Sequence, residues 1–490
     1  MTDNRLLLLL FAIICISASA QEANILYFMK HNPMRHELNP AFMPEEAYKM
    51  YVGLPGLTDI DFGAGNNSYI FDNIGRVRDG KVETIFDDGN ELGIAEFLSE
   101  AHRNIKLDAY AEVGIISWGL RRRDTFWNFA INSKVETNVS LPTKVVKDIF
   151  DEVDLDNLTI ASSNVSHKFD RFSVSAFAYN EFSFGMAHKF TKFDIGGKFK
   201  VLQGVANVNT DLQNITMSRK GEHWKFSGKG TADFLMFGKH LEKDGNQISI
   251  EDDEDEDFKV GGYGVALDGG VQFKLFGDRL RLSASVLDFG FIKWKKQASR
   301  IRGDLDIEFD MPRRTEDDAV SDYWEDWLDA FDDATEEFDD SYWVEDQKVG
   351  YTTMLTTKIF AGVEFTSISD KVSISLLSKT WIYDRNGRQD LVFAGNFRPS
   401  KHFDCSLSYD FLNGNFGSIG YGMNFNLGPL NYFVAIDNVP ISFTKASKDN
   451  VSIPNKLSEL HISTGFNILI GWLHRETSTK LVHTNIIDGI

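Results

Sequence analysis

Cysteine is nearly absent: the 490 residues include two, Cys15 and Cys405. Cys15 lies inside an N-terminal apolar stretch, so after export the chain keeps one thiol and forms no internal disulfide. Small exported scaffolds lean on disulfides; this chain must bury area or close its backbone hydrogen bonds instead. Cys405 sits in an apolar-alternating run, His402 to Tyr409, which reads as a packed thiol, and nothing nearby resembles a Cys/His catalytic pair. Long apolar runs are missing after the first 20 residues. A membrane helix needs roughly 20 such residues, so helical spanning is excluded. A basic footprint is missing too. The net charge is −21, which argues against nucleic acid as a partner. That acidity is local: Glu251 to Asp257 holds seven acids and Glu316 to Asp346 fifteen without a Lys or Arg, so the remainder is close to neutral.

Catalytic constellations are also lacking. Gly63-Ala64-Gly65-Asn66-Asn67-Ser68 has the glycines of a phosphate loop without the Gly-Lys-Ser/Thr that should follow, and reads as a tight loop. The acidic runs lack the spaced acids, central glycine and distal glutamate of a calcium loop, and read as solvated charge. His31 and His36 bracket Asn32-Pro33-Met34-Arg35 but make no metal site without further ligands. No serine and histidine assemble into a nucleophile–base pair. The residues point to no enzyme, no cofactor and no bound metal.

What is present begins with an export signal. Arg5 is a short positive region, Leu6 to Ile16 an apolar core, and Ala18-Ser19-Ala20 the small residues before a cut ahead of Gln21. A lipoprotein would use Cys15, but Ile14 is too large for the position before such a cysteine.

From Asp108 to about residue 473 period-two alternation dominates. Trp127, Phe129, Ile131 and Val135 alternate with Asn128, Asn132 and Lys134, and Phe193, Ile195, Phe199 and Val201 with Lys192, Asp194, Lys198 and Lys200. Each such segment has one apolar and one polar face. A soluble β-sandwich would also alternate. Many segments, however, run to about ten residues, the length of a membrane strand. They are joined by short turns such as Phe276-Gly277-Asp278-Arg279. Only closed barrels let strands satisfy their backbone in lipid. The 40 Phe residues, with Trp118, Trp127, Trp294, Trp381 and Trp472 near segment ends, fit aromatic girdles, although each Trp could equally be a core anchor. The fold expected is all-β, a transmembrane antiparallel β-barrel of about 14 strands with an N-terminal plug-like segment and short amphipathic helices, two of them read from the spacing of Ile94, Phe97, Leu98 and Ala101 and of Val145, Ile149, Phe150 and Val153 within Leu141 to Leu155.

Five parts lie outside that wall: the signal 1–20, an N-terminal plug or lumen segment 21–107, two acidic inserts at 250–258 and 315–347, and a C-terminal tail 474–490. The second insert places Trp324, Trp327, Leu328, Phe331 and Phe338 at helical spacing with acids on the other face. An acid-only helix repels itself, so this candidate docking helix needs a surface, either the protein's own barrel mouth or an envelope protein partner.

Ile25-Leu26-Tyr27-Phe28-Met29 through Leu38-Asn39-Pro40-Ala41-Phe42 opens the mature chain. It is followed by Gly53-Leu54-Pro55, Asn66-Asn67-Ser68, Ser285 to Trp294 (SVLDFGFIKW) and Asp437-Asn438-Val439-Pro440. In that order these motifs resemble an uncharacterised family of Bacteroidota outer-membrane barrels with an N-terminal "NPA" segment. More distantly, the chain is similar to long-chain fatty-acid transporters and the shuttle barrel of the type IX secretion system. The resemblance implies a plug, with Asn39, Pro40 and Ala41 as its motif, inside a barrel of about 14 strands. The expected function is a channel in the outer membrane for apolar or amphipathic small molecules, with membrane lipid and an apolar ligand as partners and with Lys192, Lys198 and Lys200 facing a polar lumen. The alternative is a non-enzymatic component of a secretion or envelope-assembly complex. N-terminal mass spectrometry of the protein from outer membranes is expected to find Gln21 as first residue; retention of residues 1–20 would mean an uncleaved anchor.

Overall fold

In the computed structural model, the alternating segments become the wall of one closed antiparallel β-barrel of 14 strand positions. The structure describes residues 24–44, 48–66, 104–143, 165–220, 223–236, 261–294, 299–310, 351–367, 370–383, 386–412, 415–441 and 459–471. It also describes short strand pieces within 75–84, 153–160, 239–252, 342–346 and 443–454.

The first position is shared by β1 (Met50–Gly53) and β2 (Ile60–Asn66). Then come β3 (Asn104–Arg122), β4 (Thr125–Pro142), β5 (Val165–Lys189) and β6 (Phe193–Lys220). Beyond the barrel rim β6 pairs with β7 (His223–Met236). The ring resumes with β8 (Gly262–Leu275) and β9 (Leu280–Trp294), and β10 (Ser299–Asp310) pairs with β7 outside it. It is completed by β11 (Thr357–Thr366), β12 (Val372–Tyr383), β13 (Asn386–Ser400) and β14 (Phe403–Leu412). Last come β15 (Asn415–Leu427), β16 (Leu430–Pro440) and β17 (Glu459–Ile470). β17 pairs with β1 and β2, and these pair with β3, which closes the ladder.

Strand alternation has an inverted sense here. Along β11, Lys358, Phe360, Glu364 and Thr366 are buried, while Ile359, Val363 and Phe365 face out, Phe365 at 54% exposure against 4% for Glu364. The same inversion exposes Phe199, Leu267, Phe289, Phe393 and Leu407 on other strands. In water so wide an apolar belt would drive aggregation. Around a closed barrel it is a lipid-facing surface.

One rim has tight turns. Arg123, Phe276, Gly277, Asp278 and Gly428 adopt positive φ there, and a two-residue turn or a little more joins each strand pair. The other rim carries the long connections. Both acidic inserts follow strands on that side, the first between Asp252 and Gly262 and the second between Asp310 and Tyr342. In outer-membrane barrels the short turns face the periplasm and the long loops the exterior.

The structure departs from the sequence expectation in several places. The ring starts at Met50 rather than Asp108, because β1 and β2, although short, pair on both sides. Between them Leu54–Asp59 leaves the ladder: Gly56 turns with φ +72°, Thr58 points inward and donates to Asn467 Oδ1 at 2.8 Å, and Leu54 N–H donates to Phe466 O at 3.1 Å. Strand lengths also exceed the span of a membrane. β6 has 28 residues, about 90 Å of extended chain against the 9–11 residues a bilayer needs, so it carries the β5–β6–β7–β10 sheet well past the rim. Trp294 is not a girdle residue: it is buried, faces inward and donates its Nε1–H to Thr353 Oγ1 at 2.9 Å. The helical patches expected near 94–101 and in 315–347, the signal 1–20, Trp472 and the tail 474–490 lie outside the described residues. So does the core of the patch at 141–155, whose ends, Leu141–Pro142 and Val153–Asp154, are strand.

Protein kept unboiled in detergent is expected to migrate differently from boiled protein on a denaturing gel, as a closed barrel does; identical migration would contradict closure. Phe199→Arg and Leu267→Arg, on the outer face, should each lower stability in a bilayer by about 2–4 kcal/mol if they lie near the midplane. In a water-facing sheet they would be close to neutral. Urea titration in lipid vesicles measures the difference.

Candidate functional site

The barrel interior is where the buried polar groups converge, and residues Asn24 to Met43 run through it. Two short 3-10 turns, Asn24–Phe28 and Pro33–Glu37, fold this stretch. Asn32 caps the second by accepting from Met34 N–H at 2.8 Å, with Pro33 supplying the fixed φ of a first turn residue. Ile25, Leu26, Tyr27, Phe28, Met29 and Phe42 are buried in one apolar cluster with inward wall residues including Tyr51, Phe126, Phe360 and Phe433.

Polar contacts tie the segment to the wall on every side. Ile25 N–H donates to Asp437 Oδ2 on β16 at 3.3 Å, and His31 N–H to Asp404 Oδ2 on β14 at 2.8 Å. Lys30 lies 3.7 Å from Glu364 on β11, and Glu37 pairs with Lys198 on β6. The Ser285 hydroxyl on β9 donates to Leu38 O at 2.8 Å, and Arg121 on β3 donates to Pro44 O at 3.0 Å.

Asn39, Pro40 and Ala41 form a turn against β6 and β8. Asn39 Oδ1 accepts from Ala41 N–H at 3.0 Å, and Phe42 N–H closes on Asn39 O at 2.9 Å. Asn39 Nδ2 donates to the Tyr27 hydroxyl at 3.0 Å and to Ala284 O at 3.3 Å. The wall is bare beneath this turn. Gly196 and Gly270 face each other in register, and a Cβ on the first would collide with Pro40 O, on the second with Asn39 Oδ1.

Above this turn the inward face is charged. Lys200 bridges Asp268 Oδ2 (2.9 Å), Asp288 Oδ1 (2.5 Å) and Glu181 Oε2 (3.4 Å). Lys134 joins Glu181 (3.0 Å) to Glu112 (3.2 Å), and Lys358 reaches Asp288 Oδ2 at 3.3 Å. A cavity of about 20 Å³ lies where Leu26, Glu37 and Leu38 meet Asp59, Asp61, Glu112, Lys134 and Lys200, room for a single water. Near the long-loop rim the inward face turns apolar: Phe177, Tyr179, Leu202, Leu235, Ile292, Trp294 and Leu355 pack together.

Of the lysines expected to line the interior, Lys198 and Lys200 do so, whereas Lys192 is exposed in the β5–β6 turn, where alternation no longer applies. Trp324, Trp327, Leu328, Phe331 and Phe338 lie outside the described residues. Lys134, Glu112, Glu181, Asp268 and Asp288 were not singled out from sequence. Their alternation with apolar neighbours was visible, but which strands bring them together depends on pairing.

Burial pulls the His36 imidazole below its ordinary range, and nearby Lys198 pushes the same way against Glu37. Burial works to raise Glu37, but the Lys198 ammonium and His36 outweigh it and hold this carboxyl well below its usual value. A lowered histidine loses stability as pH falls below the free value of 6.5, and a lowered glutamate as pH falls below 4.5. Acid should therefore release the segment in two steps. Protease protection of residues 24–43 across pH 2 to 8 is expected to decline in both windows, and His36→Gln to abolish the upper one.

Among solved structures the chain is similar to the toluene transporter TodX of P. putida, at 8% identity and a TM-score of 0.39 over 94% of this chain and 96% of that one. It is similar to a FadL homologue of Pseudomonas aeruginosa at 10% identity and a TM-score of 0.37, over 93% and 100% of the two chains. The Ralstonia pickettii toluene transporter TbuX gives 8% and 0.36, over 93% and 95%. No curated protein matches the sequence. Residues 40–437 match the model of a family of unknown function, DUF5723, and the chain belongs to that family.

Proposed function

We propose that the protein is an outer-membrane transport barrel for apolar or amphipathic small molecules, and that residues 24–43 act as a plug that a ligand displaces. The observation that carries this reading is the apolar packing inside the wall, where residues 24–43 cover inward aromatic side chains. A channel for polar solutes keeps a polar, water-filled lumen. Here Phe177, Leu202, Ile292 and Trp294 form a buried apolar cluster inside the wall near the long-loop rim. Deeper in, the plug itself offers Ile25 to Met29 and Phe42, packed on Phe360 and Phe433. A molecule that replaced the plug's side chains on those wall residues would keep the apolar area covered, which makes exchange cheaper than opening an empty lumen.

The export signal and the closed barrel support an outer-membrane location. The assembly alternative draws on the helix that the sequence leads one to expect around Trp324 to Phe338, which lies outside the described residues.

Two measurements test the reading. In planar bilayers the intact protein should conduct weakly, and a variant lacking residues 24–43 should conduct steadily; equal conductance would refute a plug. In cells, uptake of a labelled monoaromatic or long-chain fatty acid should fall when the protein is absent. Leu202→Asp with Phe177→Asp should cut uptake about tenfold, roughly 1.4 kcal/mol, while the gel shift persists. Unchanged uptake in both strains would remove the transport reading.

A further inference from the structure

Two sequence motifs, Ser285 to Trp294 and Asp437 to Pro440, each contain a β-bulge with an inward acid. In the first, the β8–β9 register shifts between Leu267 and Gly269, Asp288 takes a φ of 57°, and Asp288 N–H donates to Asp268 Oδ1 at 2.8 Å. In the second, the β15–β16 register shifts between Ile419 and Tyr421, and Asn438 takes a φ of 66°. Bulges re-aim side chains. Both bring paired carboxylates to the barrel interior: Asp268 with Asp288, and Asp410 with Asp437.

The two pairs differ in what neutralises them. Lys200 reaches both acids of the first, and Lys358 reaches Asp288. Among the described residues no Lys or Arg forms an ion pair with Asp410 or Asp437. Lys379 acts on Asp437 at longer range, but its register partner is Asp390, whose own negative charge bears on Asp410. Asp410 and Asp437 are 0% and 1% exposed. Hydrogen-bond donors, Ile25 N–H on Asp437 among them, offset only part of the several kcal/mol that burying each carboxylate costs.

The surroundings supply neutral oxygens. At the position a Cβ would take on Gly420, Ser408 Oγ, Asp437 Oδ1 and Asp410 Oδ2 all lie within 3.4 Å. Asn438, 2% exposed, follows Asp437 on β16, and both of its side-chain polar atoms lack a partner. So do both of Asn24, 1% exposed, which stands beside Asp437 at the start of the plug, next to the Ile25 N–H that Asp437 holds. Among the described residues no three acids or histidines converge as a metal group; this set is two carboxylates with amide and hydroxyl oxygens.

We infer that Asp410, Asp437, Asn438, Ser408 and Asn24 form a site for one divalent hard cation, calcium, between β14, β16 and the start of the plug. Two negative charges match a divalent ion, an all-oxygen donor set selects calcium over softer metals, and mixed carboxylate and amide ligands with water suit its flexible coordination. The ion fixes Asn24 and Ile25 to the wall, so calcium strengthens plug docking.

The test is calorimetric titration of calcium into EDTA-washed barrel free of lipopolysaccharide. Glu251–Asp257 and the acids of 316–346 are first replaced by neutral amides to remove loop binding. One site per chain is expected, with a Kd on the order of 10⁻⁴–10⁻³ M, the range of extracellular calcium modules. Asp410→Asn with Asp437→Asn should abolish it, and calcium should raise the temperature of the gel shift only while both acids are present. If the double variant fails to fold, Asn438→Ala and Ser408→Ala, each expected to weaken binding several-fold, take its place. Equal binding in parent and variants overturns the site. So does a parent whose gel shift ignores calcium, which would leave the acid pair to a shared proton.

Discussion

Everything in this molecule follows from the requirement that a strand crossing lipid must have every N–H and C=O paired within the protein. For strands, that requirement is met only when the ladder closes. It closes through β1 and β2, two short pieces that pair with β3 on one side and β17 on the other. Once the ring is closed, alternation has only one workable sense: apolar side chains meet lipid and polar ones turn inward. A closed wall then creates a second problem. Inward Lys, Asp and Glu leave bulk water, and each needs a partner of opposite sign or a hydrogen-bond donor. The Lys134, Lys200 and Lys358 network answers that for Glu112, Glu181, Asp268 and Asp288.

The wall was legible because its signal is local. Trp127, Phe129 and Ile131 against Asn128 and Asn132 can be read without knowing any neighbour, and segment length separated a lipid-facing strand from a soluble one. The inward alternation of Lys198 and Lys200 was equally visible, whereas Lys192 was misplaced because the alternating pattern continues into a turn that strands do not enter. Trp294 failed for a similar reason. Its place near a segment end suggested a girdle, but the face it occupies is set by strand phase, and the β8–β9 bulge shifts that phase. The interior was far less legible. Asp288 meets Lys200 across 88 positions and Lys358 across 70, and only strand pairing sets those meetings. The Asn39-Pro40-Ala41 turn shows a mixed case. Its shape is written locally in an Asn side chain that mimics a turn, while its berth depends on two glycines, Gly196 and Gly270, that mean nothing until they are paired in register.

How firmly the N-terminal segment is held depends on two kinds of contact that respond differently to its removal. Lys30 with Glu364 and Glu37 with Lys198 are charge pairs between segment and wall, and His31 N–H donates to Asp404. If the segment leaves and water enters, each partner exchanges an ion pair for hydration, and the regained hydration offsets much of the lost Coulombic attraction. The apolar contacts behave otherwise. Tyr27 stacks on Phe360 with ring centroids 5.6 Å apart, and Ile25, Phe28 and Met29 are buried beside Phe433. Exposing them costs roughly 1.5–3 kcal/mol per large side chain, and water offers no compensation. Charge therefore sets the segment's register in the barrel, while apolar burial sets the barrier to moving it. Were the segment to withdraw, an apolar molecule would lower that barrier by covering the wall's aromatic face, whereas a polar solute would leave the cost in place.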